Sequence, residues 1–434
     1  LAQELPDAHY ILIIWVIGGI LTLCGALTYG ELGAAFPYAG GDYVYLRNIY
    51  GSWAGFLLGW VGFFIINPGS IAALSLGLAK YLLPLSFGGE YQLWEEKSLA
   101  IFSLLLISLI NYLGVKYASR LQNLFSGFNL VIIFLILFSG FIWGSGNLDH
   151  FSFSSKGLSV GDLFGPAMIP VVFTYSGWFV SAYVASEIKN PEKNLPLSLI
   201  LSSLIVTILY VFMNVFYIYA LPIQEMKGII EIASYAYRSL FGPRATIIVS
   251  LAIILAILGS LNSVILTAPR IYYAMAKDGI FFRKAGTVHS RYQTPYVSII
   301  LQAVISSFLV LWGNFYQLLT YVVFIMLITS IATGLGVFVL RFRCPKLKRP
   351  YKVGGYPYTT LIFVAFYLWI GLKVLVERPY ESILGIAITL SGIPFYVYWR
   401  NKKGVNNFPF SQEGQAGKAA FFSFPRLRGP GRWW

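Results

Sequence analysis

Charge is what this chain has least of. Charged residues make up 11% of 434 positions, with 17 acidic against 31 basic. A soluble domain carries roughly a quarter, so an ordinary soluble fold is excluded. Cysteine and histidine are nearly absent, at 2 and 3 residues. Cys24 lies in an apolar run and Cys344 in a basic connection, so the pair makes no disulfide framework. His9, His150 and His289 are read as loop residues, the first two on one side of a membrane and the third on the other. They share no metal site or proton relay. No glycine-rich phosphate loop follows a strand pattern, no cleavable leader is visible, and no cofactor is expected.

Apolar residues fill the space instead. They reach 57% of the chain, and mean hydropathy is +0.71. Crossing a bilayer takes about 20 apolar residues. Candidate spans are 11–30, 53–83, 99–113, 124–143, 163–185, 195–221, 247–275, 297–311, 315–340, 358–376 and 383–399. The chain is therefore an all-α polytopic membrane protein with about eleven helices.

The net charge of +14 is distributed over alternate connections. Lys116 and Arg120 occupy one, and Lys189 and Lys193 the next but one. Lys277, Arg283, Lys284 and Arg291 follow. Then come Arg341, Arg343, Lys346, Lys348, Arg349 and Lys352, and last Arg400, Lys402 and Lys403. Intervening connections are mixed or acidic, with Glu90, Glu95 and Glu96 in one and Asp149 and Asp162 in another. Nucleic-acid binding needs one contiguous basic patch, and alternation gives none, so no nucleic acid is expected. The basic set faces the cytoplasm, and the first visible helix runs inward. Leu1 is not Met, and residues 1–9 read as a loop. One further helix upstream brings the count to twelve with both ends inside. The basic tail 404–434 has no helical period and reads as disordered.

One span breaks the rule that a lipid-crossing helix hides its backbone. Gly165, Pro166 and Pro170 open it, Phe173-Thr174-Tyr175-Ser176-Gly177-Trp178 forms its middle, and Ser186 to Pro196 closes it. Broken backbone at membrane depth persists only where protein packs it or a cavity solvates it. In secondary transporters such breaks form the substrate site. Asn67-Pro68-Gly69-Ser70 interrupts a second long span, and an ordinary proline kink is its plain alternative. Gly55 and Gly59 are read as packing positions. Glu31, in the run from Tyr29 to Leu46, is an acid near the cytoplasmic face and needs a partner. It is read as a gate or helix clamp, with helix-end solvation as the alternative.

These blocks together resemble the amino acid–polyamine–organocation superfamily of permeases, most nearly bacterial members of its L-type branch. Tyr29 to Leu46 resembles the inner end of the family's second helix, and Phe173 to Pro196 its broken sixth helix. Tyr272 to Gly279 resembles the end of the eighth. Leu340 to Tyr351, Tyr356-Pro357 and Gly392 to Tyr396 match further on. The resemblance implies the leucine-transporter fold, two inverted five-helix repeats plus two extra helices. It divides the chain into 1–145, a first repeat without its first helix, 146–341, a second repeat, 342–403, a basic loop with two helices, and the tail 404–434. It makes Phe173 the gate over substrate. Thr174, Tyr175, Ser176 and Gly177 form the unwound segment, Trp178 lies beside it, and Asn67, Pro68 and Ser70 line the pocket. Glu31 and Glu187 are inner gating acids. The family's first helix carries a glycine-rich break that holds the substrate carboxylate. With that helix upstream of Leu1, residues 1–434 are expected to leave a cleft beside Phe173–Trp178 and to bind amino acid poorly.

The resemblance implies a secondary transporter of amino acids in the plasma membrane, the inner membrane in a bacterium. The absence of Asn-x-Ser/Thr sequons agrees with a non-glycosylated protein. Where the L-type branch usually carries a coupling lysine, this chain has Asn129, so exchange, sodium coupling and facilitation all stay open. No disulfide-linked glycoprotein subunit is expected. Polyamine or amine exchange is the rival within the superfamily, but a dication favours cavity acids, and mid-span acids are scarce. An ion channel needs repeated polar rings, and a membrane-embedded enzyme needs clustered polar groups at one interface. Neither pattern is present.

Overall fold

In a computed structural model, residues 1–3, 5, 7–87, 91–152, 167–229 and 232–403 are described. Gly165, Pro166 and the tail 404–434 lie outside them. Among the described residues the secondary structure is helical, with no strand. All eleven expected spans are helical over their described residues, the fifth with a turn in its middle. Nine are long and apolar enough to cross a membrane. The other two are α5, whose first turn carries Glu95 and Glu96, and the 17-residue α12.

The first helix, α1 (Ala8–Ala35), runs to the turn at Gly40–Gly41, and a short α2 (Asp42–Tyr50) follows. His9 thus sits in the first turn of α1 and not in a loop. Next come α3 (Ser52–Val61) and α4 (Asn67–Phe87). Residues Gly62–Ile66 join them in a π-helical turn. The interruption therefore falls before Asn67, not within Asn67–Ser70. Pro68 has no N–H and crowds the carbonyl one turn earlier, so the upstream turn widens to absorb the misfit.

Beyond these lie α5 (Leu93–Leu113) and α6 (Val115–Trp143). The broken span is α7 (Met168–Tyr175) followed by a 3-10 helix, Val180–Glu187. Then come α8 (Pro191–Ala220), α9 (Ile232–Phe241), α10 (Pro243–Thr267) and α11 (Pro269–Asp278). The single expected span 247–275 is thus two helices meeting at Pro269. The set closes with α12 (Tyr296–Trp312), α13 (Phe315–Arg343), α14 (Tyr358–Glu377) and α15 (Pro379–Lys403).

Small residues let these helices approach. A Cβ on Gly19 of α1 would lie 2.1 Å from Thr207 of α8, and one on Gly140 of α6 would lie 2.2 Å from Phe216. One on Gly59 would lie 2.1 Å from the Met275 sulfur, which supports the packing role read for that position. In lipid, close packing replaces water exclusion as the force between helices. Two apolar cores result. One is built largely on α1, α3, α8 and α13, and the other lies among α4, α5, α10 and α12. Phe173 packs against both.

Two contacts show which helix ends share a side. Lys97 Nζ donates to Leu311 O at 2.5 Å on the side assigned as outer, and Thr294 Oγ1 donates to Tyr112 O at 2.9 Å on the inner side. Each pair joins chain segments at or beside helix ends that the alternation of basic residues puts on one face.

Candidate functional site

The broken span owes its shape to its own residues. Ser176 caps α7: its N–H and its Oγ both donate to Phe173 O, at 3.0 and 2.5 Å. Gly177 then takes φ +96°, where an L side chain is strained. The next residues re-enter a 3-10 helix, so the chain crosses in two pieces with a turn between them.

The helix that ends at that turn borders a cavity of about 1050 Å³. Pro170, Phe173 and Thr174 form one wall, with Ala73, Leu74 and Gly77 of α4 opposite. The lining extends to Asn314, Gln317, Arg378 and Glu381, at helix ends and connections assigned to the outer side.

Only part of the predicted constellation faces this cavity. Phe173 and Thr174 do, and Thr174 Oγ1 satisfies itself on Pro170 O at 2.7 Å. Tyr175 turns away. Its hydroxyl donates to Trp15 O of α1 at 2.8 Å, and its ring packs on Trp15 and Tyr210. Trp178 meets Tyr29 edge-on at 4.8 Å and covers Gly25. Ser176 and Gly177 shape the turn and do not line the cavity. Large aromatics next to a break do more to fill the seam against α1 than to contact a ligand.

Asn67, Pro68 and Ser70 are likewise outside the cavity lining. Asn67 Nδ2 donates to Gly62 O and to Tyr272 OH at 2.9 and 3.0 Å, so it secures the π turn. Pro68 is buried, and Ser70 Oγ bonds back to Ile66 O at 2.7 Å. Asn67 instead borders a second pocket of about 20 Å³, together with Asp42, Phe179, Tyr183 and Ser330. Asn129 is half-buried on α6, faces Gly259 of α10, and its Oδ1 has no partner among the described residues.

The inner end is closed by ion pairs. Glu31 is 3% exposed and receives Arg341 at 3.0 and 2.6 Å and Arg349 at 3.3 Å. The backbone N–H of Val353 adds a bond at 2.8 Å. The Arg341 guanidinium stacks 3.7 Å above the Tyr356 ring. One carboxylate thus ties α1 to the end of α13 and to the loop beyond. A second clamp joins α2 to α11: Asp278 Oδ2 lies 2.5 Å from Arg47 and accepts from Tyr43 OH at 2.5 Å. Glu187 ends the 3-10 helix, and its side chain lies outside the described residues. The Gly40–Gly41 turn was legible as a turn. Its contact with the 3-10 helix, where Gly40 N–H donates to Tyr183 O at 3.1 Å, was not.

A bundle of membrane-length helices, broken beside an outer cavity and sealed by ion pairs at the inner face, defines a multi-pass membrane carrier. The chain belongs to the amino acid permeases, whose family description matches residues 4–379. It is 34% identical over 401 residues to the serine/threonine exchanger SteT of Bacillus subtilis, covering 92% of this chain and 90% of that one. Large neutral amino acids transporter small subunit 2 of Mus musculus is 32% identical over 414 residues, covering 92% and 76%. Asc-type amino acid transporter 1 of Mus musculus is 32% identical over 428 residues, covering 96% and 80%. The fold is that of the leucine transporter, and the protein is an integral protein of the cell membrane.

Proposed function

We propose that this permease carries neutral L-amino acids by alternating access, exchanging one across the membrane for another, without chemical conversion of the substrate. The observation that carries this reading is the asymmetry of the bundle: an outer cavity ends on Phe173, and the inner face is held shut by reversible ion pairs. Phe173 touches both cores, so it is the gate that a shift of one core against the other moves. Thr174 offers a hydroxyl at the same wall. Tyr175 and Trp178 pack on α1, Asn67 secures the π turn, and Ser70 bonds back to Ile66 O, so these residues hold the helices rather than the ligand. SteT is named a serine/threonine exchanger, which favours small or neutral side chains.

Asn129 bears no charge, so coupling does not run through a lysine there. The cavity lining includes Lys80, Arg378 and Glu381, two cations to one anion, which disfavours a polyamine. A channel or a membrane enzyme finds no support in this asymmetric arrangement. The mouse relative is named a small subunit. In this chain Cys24 is buried in α1 and Cys344 sits at the inner face, so neither is placed for an extracellular disulfide.

Uptake of a panel of labelled amino acids and putrescine into proteoliposomes tests the reading, with and without internal substrate and with sodium or proton gradients. Uptake of neutral amino acids that depends on internal neutral amino acid is the expected result. Uptake of putrescine alone would replace this reading with amine exchange.

A further inference from the structure

One carboxylate in the inner seal is not used by either ion-pair clamp. Asp42 opens α2 just after the Gly40–Gly41 turn and is 5% exposed. Its Oδ1 accepts from Thr333 Oγ1 of α13 at 3.0 Å, and its Oδ2 accepts from Tyr183 OH of the 3-10 helix at 3.1 Å. Tyr29 of α1 also turns its hydroxyl to this carboxylate, and Tyr45 of α2 lies nearby. Four elements therefore meet on one acid.

Every side chain that bonds Asp42 does so through a hydroxyl. Among the described residues no lysine, arginine or histidine pairs with it. Glu31 and Asp278, its neighbours in the seal, each hold a guanidinium. A buried carboxylate without a cation is costly in its charged form, and hydroxyl donors offset only part of that cost. Burial accordingly pushes Asp42 above the usual carboxylate range, with its hydroxyl partners opposing the shift. The 20 Å³ pocket lies against this acid, bordered also by Asn67, Thr329 and Ser330, and has room for about one water.

We propose that Asp42 is a proton-binding site that makes opening of the cytoplasmic side sensitive to cytoplasmic pH. The inference rests on the alternating-access reading. Sealing traps a proton from cytoplasmic water on the carboxylate, and opening returns it to the same water, so no net proton crosses the membrane. Opening parts α1, α2, α13 and the 3-10 helix, and water then reaches the acid. Solvated, it relaxes towards about 3.9. The sealed form has the higher affinity, so acid favours the sealed form. The effect builds as pH falls through the raised value and levels off below the solvated one. The facing tyrosines are phenols and keep their protons throughout this range.

Exchange in proteoliposomes is measured with the cytoplasmic-side pH varied from 7.5 to 5 and the outer pH held constant. A single proton sets a limit of about tenfold per pH unit. The wild type slows as the cytoplasmic side is acidified. Asp42→Asn, neutral at every pH, is slow and flat. Thr333→Val keeps the acid but removes a donor to its charged form, so its midpoint moves to higher pH. Hydrogen exchange of the backbone around residues 38–46, corrected for intrinsic pH dependence, gives a readout that needs no substrate. It falls in acid for the wild type and does not respond in Asp42→Asn. Wild-type pH dependence in Asp42→Asn, or an unmoved midpoint in Thr333→Val, overturns the proposal. Absence of amino acid transport with pH-dependent exchange intact overturns only the carrier reading.

Discussion

Phe173 and Glu31 show how one side chain acts differently in a cavity wall and in a clamp. Phe173 is half-buried and borders open volume, so truncating it costs less than the roughly 3–5 kcal/mol of a fully packed phenylalanine. Phe173→Ala is expected to reach the membrane in normal amount and melt close to the wild type while losing amino acid uptake. Uptake at the wild-type rate would remove the gate from the mechanism. Glu31→Gln keeps the shape but takes the charge from between two guanidinium groups. Breaking one side of a buried pair costs about 3–5 kcal/mol. The variant should lose several degrees in thermal unfolding, and inner-face positions should become more reactive to impermeant reagents. Lys348→Ala is the matched control. Its 3.7 Å contact with Glu192 is exposed, and such pairs contribute about 0–1 kcal/mol. No measurable change is expected there.

Helices and turns carry the next level of argument, and the inner turn is the sharpest case. Gly41 has φ +50°, and a Cβ on it would lie 2.1 Å from the Tyr183 ring. Gly41→Ala therefore adds backbone strain and pushes the 3-10 helix off the α1–α2 turn. Labelling of inner-face cysteines should rise, and exchange should slow because the sealed form is disfavoured. Gly177 is the contrast. Its φ of +96° is equally demanding, but a Cβ there meets nothing within 4 Å. Gly177→Ala should cost about 1 kcal/mol through the backbone alone, seen as a small drop in melting temperature with the inner seal unchanged. Equal inner-face labelling in the two variants would show that Tyr183 does not hold the seal.

At the scale of the whole molecule, the bundle is two apolar cores meeting at Phe173, with ion pairs across the inner seam. Cys24 is buried in α1, and Cys344 lies in a connection that the alternation of basic residues assigns to the inner side. On a non-reducing gel of native membranes the chain should therefore migrate alone. A reducible heterodimer would contradict that expectation.

Membrane class, helix number, the sharing of sides by alternate connections and the place of the broken helix were legible in the sequence. Each depends on short-range properties: apolar length, alternation of basic loops, and a Gly-Ser-Pro interruption that no lipid-facing helix tolerates. The family was legible too, because its motifs sit at helix ends where composition is distinctive. Tertiary structure decided which residues of that interruption face the cavity. Tyr175 and Trp178 look like ligand contacts by residue type and position, but α1 offers them Trp15 and Tyr29, and aromatic packing takes them. It also moved the second break from Asn67–Ser70 to Gly62–Ile66, because a proline disturbs the turn before it. The partners of Glu31 are more than 300 positions away, and those of Asp42 are as much as 291 away. No local pattern encodes such distances, so only the folded bundle shows that one acid is clamped by arginines and the other left among hydroxyls.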